Sequence, residues 1–318
     1  MIDSRSPNAD TGECVKLDNS RNGNLYSHVV ALGEVLWDLF DHSRRLGGAP
    51  LNFGVHAQRL GHNVTLVSAV GSDELGEQAR DTIGSLNLDT GMLQTTSCFP
   101  TGTAGVAIGE DGKTHFTIPR PAAYDAVELT GRDIELLQQR VPSWFYYGTL
   151  FASTWQGREV LRRLLEALDT AAKFYDINLR PGADSPDLVR ELLKHADVLK
   201  LNEEELYRIH KFTGLPADAE EFCREGVQRY GWRAVGVTLG DRGCAMLANE
   251  QYVEAAGHPV NVVDTVGAGD AFAAAFMHGL SLNWPTVEIA WFANRVGALV
   301  ASRHGAIPDW TPEEALKR

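Results

Sequence analysis

The chain has 318 residues, of which 44% are hydrophobic and 22% are charged, an ordinary composition for a globular protein. This length suits one large α/β domain or two smaller ones. Its 42 acidic residues outnumber its 29 lysines and arginines, so the formal net charge is -13. No cluster of basic residues offsets this charge locally. We therefore expect no nucleic-acid partner and no membrane-surface partner.

The segment 1–27 is polar and lacks the apolar core of a secretion signal, so we expect a disordered extension before a folded domain at 28–318. No apolar stretch approaches the roughly 20 residues that a membrane-spanning helix needs. The cysteines have no metal-ligand spacing and favour buried free thiols in a reducing compartment. They are Cys14, Cys98, Cys223 and Cys244. Together these features predict a cytoplasmic protein.

Short apolar runs alternate with helical patterns along the rest of the chain. The first run, 28–33, ends in glycine, which is typical of a buried strand. Further strands are predicted at 63–70, 145–147, 173–176, 198–201 and 234–238. Between them, 160–168 and 187–193 carry apolar residues at helical spacing. This alternation predicts one principal α/β domain with a mostly parallel central sheet, covered by helices on both faces. The ligand of such a sheet binds beyond the carboxyl ends of its strands.

One region interrupts the alternation. Residues 105–108 and 115–118 flank the turn Gly109-Glu110-Asp111-Gly112, a pattern typical of a β-hairpin. A hairpin inserted in an α/β domain needs a surface to pack against, which favours an edge position or a lid over a site.

Three other patterns indicate little. Gly112-Lys113-Thr114 ends like a P-loop, but Ala107 occupies the place of its first glycine and the lysine falls in the hairpin turn. Gly267-Ala268-Gly269 could open a dinucleotide fingerprint, but Phe272 stands at the third glycine position. The ten histidines show no paired spacing, so a zinc site has no support.

The segment 261–276 carries the chemistry. We expect an apolar strand that ends at Asp264, then the small residues Gly267-Ala268-Gly269, then an alanine-rich helix. The backbone N–H groups of these small residues would be exposed at a helix N-terminus, where the dipole favours a phosphate. Asp270 would stay ionised beside this anion hole and could deprotonate an alcohol during phosphoryl transfer. On this segment alone, an Asp-capped helix after a glycine turn explains the residues equally well.

A second glycine turn, Gly47-Gly48-Ala49-Pro50-Leu51-Asn52, also leads into a helical pattern. The amide of Asn52 could hold sugar hydroxyls as both donor and acceptor, although such residues usually cap helices. Asp38 follows the run 33–37 and could accept two hydroxyl hydrogens, the alternative being a solvated loop carboxylate.

These motifs resemble those of the PfkB/ribokinase family of carbohydrate kinases, and of its fructokinase-like members in particular. The amino-terminal family signature matches at 47–52, with Gly61 and Gly71 at the expected later spacings. The carboxyl-terminal signature, Asp-Thr-x-Gly-Ala-Gly-Asp-x-Phe, matches completely at 264–272. Gly54 departs from the Ser, Thr or Ala that the family usually has, and we expect slightly looser helix packing there. The resemblance covers 28–318.

The resemblance implies a ribokinase-like fold with a small β lid, whose segments lie near 36–48 and 99–122. In the family this lid closes over the sugar and often forms a dimer interface, so a homodimer through the lid is expected. Asp270 would be the catalytic base, and Gly267, Ala268 and Gly269 would form the anion hole. The implied sugar-binding residues are Asp38, Gly47, Gly48, Asn52, Arg120 and Arg180.

The resemblance also implies binding sites for the nucleotide and for a potassium ion. Asn202 and Glu205 match the family's NxxE motif, which helps to organise magnesium and phosphate; an acidic helix start is the alternative. The implied nucleotide-binding residues are Asn202, Glu205, Thr238, Gly240, Gly243 and Asn294. The implied potassium ligands are Asp264 and carbonyls at Val266, Ala301, His304 and Ala306.

The function implied is phosphorylation of a primary sugar hydroxyl by ATP with Mg²⁺, and with K⁺ as in many members. D-fructose, giving fructose 6-phosphate, is the expected substrate. 2-Keto-3-deoxygluconate is the alternative, because Arg180 could bind either a carboxylate or a ketose hydroxyl. Another sugar or nucleoside kinase is also compatible with the fold. The non-enzyme alternative is a sugar- or nucleotide-binding protein on the same scaffold.

Overall fold

The computed structural model describes residues 27–40, 43–108 and 114–317. Its strands are β1 (His28–Leu32), β2 (Leu36–Phe40), β3 (Ser43–Gly47), β4 (Asn63–Gly71), β5 (Leu93–Thr96), β6 (Gly102–Ile108), β7 (Thr114–Thr117), β8 (Trp144–Gly148), β9 (Ala172–Asp176), β10 (Val198–Asn202), β11 (Ala234–Thr238), β12 (Cys244–Ala248) and β13 (Gln251–Ala255).

The helices are α1 (Ala49–Arg59), α2 (Glu74–Ser85), α3 (Gly131–Gln139), α4 (Thr149–Ala152), α5 (Trp155–Ala167), α6 (Pro186–Leu193), α7 (Glu203–Thr213), α8 (Ala219–Tyr230), α9 (Ala268–Ser281), α10 (Thr286–Ala301) and α11 (Pro312–Ala315). Short 3₁₀ turns cover Ala123–Ala126 and Gly240–Arg242.

Nine strands form the central sheet, in the order β13-β12-β11-β10-β9-β8-β1-β4-β5. The pairings from β11 to β5 are parallel, whereas β12 and β13 are antiparallel additions at one edge. All six strands predicted from apolar runs belong to this sheet, and both predicted helices are present as α5 and α6. The prediction of a mostly parallel α/β sheet is therefore confirmed.

Alternate residues of each central strand enter two separate apolar layers. In β1, Val29 and Ala31 pack on one face, while Val30 and Leu32 pack on the other. Helices α1, α2, α9, α10 and α11 cover the first face, and α3 and α5 to α8 cover the second. Because both faces are covered, the parallel strands are mostly apolar, as is typical of such sheets, and Lys200 in β10 is a buried exception.

Helix α9 lies deepest in the first layer. Residues 270–277 are all buried, which explains why the helix is rich in alanine and apolar on every side. It packs between α1 and α10, and all three helices contribute to one apolar cluster. In α1, a Cβ atom at Gly54 would lie 3.2 Å from Val64 Cγ1, so the glycine allows a close approach to β4 rather than the looser packing expected.

A second, four-stranded sheet has the order β3-β2-β6-β7 and lies over one end of the central sheet. Strands β6 and β7 pair antiparallel, with Val106 opposite Phe116, so the predicted hairpin is confirmed. The turn itself, including Lys113, falls outside the described residues. Strand β3 leads directly into α1 through Gly47 and Gly48.

One predicted strand is absent from the described chain. Residues 256–266 form a loop instead of the apolar strand that we expected to end at Asp264. Val262 and Val263 are 57% and 42% exposed, and the amides of Val263 and Asp264 both donate to the carbonyl of Ala301 at the end of α10. The backbone of this loop therefore bonds to the end of α10 instead of to a neighbouring strand. Its apolar residues do not belong to a buried strand.

Within the described residues, no helix combines the length and the apolar character needed to cross a membrane. Cys223 and Cys244 are buried free thiols as expected, whereas the free thiol of Cys98 is exposed. The predicted extension 1–27 lies outside the described residues except for Ser27.

Candidate active site

The carboxyl ends of the central strands face the small sheet across a cavity of about 230 Å³. The loops that follow β1 and β9 and the last residues of β10 and β11 form one wall, and strand β2 and the start of α1 form another. The N-terminus of α9 closes the floor. This is where the topology of a parallel sheet places a ligand.

Asp270 lies in the first turn of α9 and lines the cavity, as predicted. Its Oδ2 accepts a hydrogen bond of 2.8 Å from Nδ2 of Asn52, so the two sequence motifs meet at this atom. Burial raises the pKa of Asp270 to about 7, the nearby Asp176 carboxylate adds to the rise, and Lys200 opposes it. Burial of a residue only 8% exposed therefore makes Asp270 less readily ionised than the sequence predicts, with a pKa near neutral pH.

Gly267, Ala268 and Gly269 open α9 with their amides at its N-terminus. Gly267 is left-handed at φ 79°, and a Cβ there would lie 2.5 Å from backbone atoms of Ala306. Ala268 N makes a 3.3 Å bond to the carbonyl of Thr265, while the amides of Gly267 and Gly269 find no backbone acceptor among the described loops and turns. The geometry leaves donors for an anion, as a helix N-terminus does.

Ala306, which supports Gly267 from behind, is itself held from α1. Nε2 of His56 donates to the Ala306 carbonyl at 2.9 Å, and Nδ1 of His56 accepts from Trp310 Nε1 at 3.0 Å. Burial lowers the pKa of His56 to about 4, so the ring is neutral and these two bonds fix its tautomer.

Lys200 is a site residue that the sequence reasoning missed. Its Nζ lies 3.1 Å from Oδ1 of Asp176, the pair is almost fully buried, and a Cβ on Gly269 would lie 3.0 Å from that Nζ. Burial alone would lower the pKa of Lys200, but Asp176, Glu205 and Asp270 raise it. The sequence contains one signal for this residue, which is a lysine within an otherwise apolar strand. Because a buried ammonium without a partner is energetically very costly, such a lysine is expected to have an acidic partner.

The small-sheet side of the cavity carries the predicted sugar ligands Asp38, Gly48 and Asn52. Gly47 lies beside them, since a Cβ there would lie 2.7 Å from Oδ2 of Asp38. Burial raises the pKa of Asp38 to about 6, against the attraction of Arg180. Oδ1 of Asn52 is buried without a hydrogen-bond partner in the described structure, so it can accept from a ligand hydroxyl.

The two predicted arginines differ. Arg180 follows β9 and lines the cavity, close enough to Glu34 and Asp38 to act on both carboxyl groups. Arg120 does not line it, because its guanidinium is bound to Asp125, the Leu150 carbonyl and the Ser153 hydroxyl. Arg120 therefore braces the cavity wall rather than contacting its contents. Glu34, which lines the cavity and has a pKa raised by burial, was not predicted from the sequence.

On the opposite side, Asn202 and Thr238 line the cavity at the ends of β10 and β11. Asn202 Oδ1 accepts from the Glu205 amide, and Glu205 Oε2 accepts from the Asn202 amide, each at 2.8 Å. Glu205 Oε1 also accepts from the amide of Leu179, next to Arg180. The NxxE motif is thus a capping box, and the buried Glu205 carboxylate shapes the wall without lining it.

Gly240, Gly243 and Asn294 do not line the cavity. A Cβ on Gly243 would lie 2.0 Å from the Ala255 carbonyl, and Asn294 Nδ2 donates to the carbonyls of Ala255 and Ala256. Gly243 and Asn294 therefore shape the loop after β13, and Gly240 begins the 3₁₀ turn just beyond Thr238.

The five predicted potassium ligands gather behind the anion hole, and three of them already accept hydrogen bonds or form an ion pair. Asp264 Oδ2 lies 2.7 Å from Nη1 of Arg45, and the Ala301 carbonyl accepts two amides. The Ala306 carbonyl accepts from His56, while Val266 and His304 lie in the two adjoining loops.

Taken together, the cavity joins a carboxylate that can accept a proton, a helix N-terminus that can hold an anion, and side chains suited to hydroxyl groups. This combination is the one that phosphoryl transfer to an alcohol uses.

Comparison with known proteins leads to the same chemistry. A family model described as "pfkB family carbohydrate kinase" matches residues 12–313. The fructokinase of Salmonella typhimurium is 30% identical over 92% of this chain and 99% of its own length.

Two solved structures resemble the chain in fold. An uncharacterized sugar kinase from Pyrococcus horikoshii, solved in complex with ATP, is 26% identical with a TM-score of 0.74 over 88% of this chain and 94% of that one. The 2-dehydro-3-deoxygluconokinase of Thermotoga maritima is 20% identical with a TM-score of 0.81 over 91% and 98%. The chain has the ribokinase-like α/β fold. It belongs to the pfkB family of carbohydrate kinases, enzymes that transfer a phosphoryl group to a sugar hydroxyl.

Proposed function

We propose that this chain transfers the γ-phosphoryl group of ATP to the 6-hydroxyl of D-fructose. The observation that supports this most directly is the bond between Asn52 and Asp270 on the cavity floor. It joins a hydroxyl-binding amide to a buried carboxylate at a helix N-terminus.

In this mechanism the sugar lies against Asp38 and Asn52, with its primary hydroxyl directed at Asp270. The orphaned Oδ1 of Asn52 accepts from a sugar hydroxyl, while its Nδ2 keeps the Asp270 carboxylate in place. Asp270 accepts the proton as the hydroxyl oxygen attacks the γ-phosphorus, and the bond to the bridging oxygen of ADP breaks.

Charge that develops on the transferred group is met by the first amides of α9. The Lys200 ammonium lies beneath them, next to Gly269, and adds positive charge from inside the protein. In a cavity closed to water such fixed dipoles and charges act more strongly than in solvent.

Magnesium would enter with ATP. The described residues contain no group of three or more His, Cys, Asp or Glu side chains arranged for a metal ion. This fits an ion carried mainly by phosphates and water, which needs only one or two protein oxygens. Asn202, which lines the cavity at the end of β10, would supply one of them. The ion would neutralise part of the phosphate charge.

The charge of the sugar pocket favours fructose over 2-keto-3-deoxygluconate. Arg180 is close enough to Glu34 and Asp38 to interact with both carboxyl groups, which offsets part of its positive charge. A neutral ketose satisfies these groups with hydrogen bonds, whereas the carboxylate of 2-keto-3-deoxygluconate would lie near two acidic side chains. The acid remains the second candidate because Arg180 lines the cavity.

We also propose that the small sheet acts as a lid, because β2 and Ala104 of β6 form the cavity's outer wall. Closure over the sugar would exclude water and limit hydrolysis of ATP. The homodimer through this sheet remains a prediction from the sequence, as does the cytoplasmic location.

The experiment is coupled ADP release with Mg-ATP and a panel of acceptors: fructose, 2-keto-3-deoxygluconate, ribose, adenosine and fructose 6-phosphate. Fructose should give the highest kcat/KM, and the Asp270→Asn variant should lose roughly 1,000-fold or more of kcat. For wild type, kcat/KM should fall as pH decreases through about 7, because protonated Asp270 cannot act as a base.

A strong response to another acceptor alone would assign that substrate instead of fructose. If Asp270→Asn keeps activity within tenfold of wild type, the assigned base is wrong. If no acceptor responds but ATP or a sugar raises Tm, the binding-protein alternative replaces the enzyme.

A further inference from the structure

An ion pair joins the small sheet to the loop that forms the anion hole. Nη1 of Arg45, on β3, lies 2.7 Å from Oδ2 of Asp264. The Arg45 side chain is 37% exposed and that of Asp264 is 15% exposed. The contact links positions 219 residues apart in the chain.

Asp264 holds the two backbone segments that surround Gly267. Its Oδ1 accepts from the Val266 amide at 3.1 Å, and its Oδ2 accepts from the Gly305 amide at 3.0 Å. Next to Gly305, Ala306 packs against Gly267. The cation that balances Asp264 therefore controls the loop that carries the anion hole.

Three of the predicted potassium ligands are already occupied by other partners at this place. A potassium ion binds by replacing its hydration shell with several oxygen ligands. Here the Asp264 charge is balanced by a guanidinium, and the carbonyls of Ala301 and Ala306 accept hydrogen bonds from backbone amides and from His56. A second cation would compete with Arg45 for the same carboxylate.

We propose that the Arg45 guanidinium takes the place of a monovalent cation at Asp264, so that catalysis by this chain requires no potassium. This inference rests on the proposed phosphotransfer. Arg45 is a positioning residue, because it acts on the loop through Asp264. The guanidinium comes from the small sheet, so it ties the anion hole to that sheet.

The test measures fructose phosphorylation in tetramethylammonium buffer and in potassium chloride at equal ionic strength. Wild-type kcat should change by less than about twofold between the two salts. The Arg45→Gln variant should lose roughly tenfold in tetramethylammonium and recover at least half of that loss in potassium. Arg45→Lys, which keeps a cation on β3, should remain insensitive to potassium.

Arg44→Gln is the matched control. Arg44 is the neighbouring residue on β3, but it bonds Gln78 at 2.6 Å and lies over the ring of Trp37, away from Asp264. Its replacement should leave kcat unchanged and create no response to potassium. A response equal to that of Arg45→Gln would overturn the proposal, because it would reflect the charge of the strand rather than the ion pair.

Thermal melting tests the same site without turnover. Potassium should raise the Tm of Arg45→Gln above its value in tetramethylammonium, and it should not do so for wild type. Strong potassium activation of wild type, or an Arg45→Gln variant that responds to potassium neither in Tm nor in kcat, would overturn the proposal. If wild type phosphorylates no acceptor in either salt, the proposed function is refuted. The comparison of Tm values in the two salts would still test the role of Arg45.

Discussion

Asp270 is buried among groups that make its ionisation unfavourable, although a general base has to ionise. Burial and Asp176 raise its pKa to about 7, and the Asn52 hydrogen bond and Lys200 only partly offset them. A carboxylate with this pKa is a stronger base than an exposed one, so the features that suit it for proton transfer also destabilise the folded chain above pH 7.

Replacing Asp270 by Asn should therefore stabilise the protein while abolishing turnover. The folded-state pKa lies above the usual 3.8, so the folded chain binds the proton more tightly, and stability falls as pH rises from about 4 to about 7. Above pH 7 the full penalty, up to about 4 kcal/mol, is present. The free energy of unfolding in urea should be higher for Asp270→Asn at pH 8, with a smaller difference at pH 5.

The matched control is Asp169→Asn, which changes an exposed carboxylate. Its unfolding free energy should stay within about 0.5 kcal/mol of wild type at both pH values. An Asp270→Asn variant with the same advantage at pH 5 as at pH 8 would contradict a raised pKa at Asp270.

At the scale of single residues, the sequence predicted several groups that line the cavity and missed two others. Asp270 and Asn52, which belong to the two signatures, line the cavity, and so does Asp38, which follows the run 33–37. Glu34 and Lys200 reach the cavity only because parallel strands end side by side, which depends on strand order. The family resemblance implies that Arg120 binds the sugar, but its partner Asp125 holds it outside the cavity.

At the scale of elements, apolar periodicity located strands and helices well because each central element is buried on the expected faces. The apolar pattern gave a wrong prediction at 261–264, where the valines are exposed and the chain forms a loop. Close contacts between elements also escaped prediction, since a glycine inside a helix looks the same in sequence whether a neighbour touches it or not. Gly226 in α8 and Gly84 in α2 show the two cases.

Alanine at these two positions should have opposite effects on stability. A Cβ on Gly226 would lie 2.2 Å from Cζ3 of the buried Trp232, so Gly226→Ala should cost roughly 1–3 kcal/mol through overpacking. Nothing lies within 4 Å of a Cβ on Gly84, so Gly84→Ala should gain roughly 0.5–1 kcal/mol from helix propensity. Urea unfolding measures both, and kcat should change in neither. A neutral Gly226→Ala would show that Trp232 can move aside.

At the scale of the whole molecule, both apolar layers share the same strands. Trp144 and Tyr146 of β8 pack in one layer, and Phe145 and Tyr147 pack in the other. Neither layer can lose its strands without exposing the other, so the central sheet and its helices should unfold as one cooperative unit.

Calorimetry of the ligand-free protein should accordingly show a main transition whose calorimetric and van't Hoff enthalpies agree. Gly226→Ala lies on the second face only, and it should move that entire transition to lower temperature. Two separate transitions, of which the variant shifts one, would show that the layers unfold independently.

Helix α1 contacts both halves of the catalytic machinery. Asn52 bonds the base, and His56, one turn later, holds the Ala306 carbonyl behind Gly267. Trp310 in turn fixes the ring of His56. Helix α1 thus sets the distance between the proton acceptor and the backbone amides that would hold the phosphate. Trp310, in the carboxyl-terminal part of the chain, fixes His56 at the second of these contacts. Removal of the carboxyl-terminal segment that contains Trp310 would keep every reacting group but misalign these groups. A chain shortened in this way should still bind its substrates, and its kcat should be low.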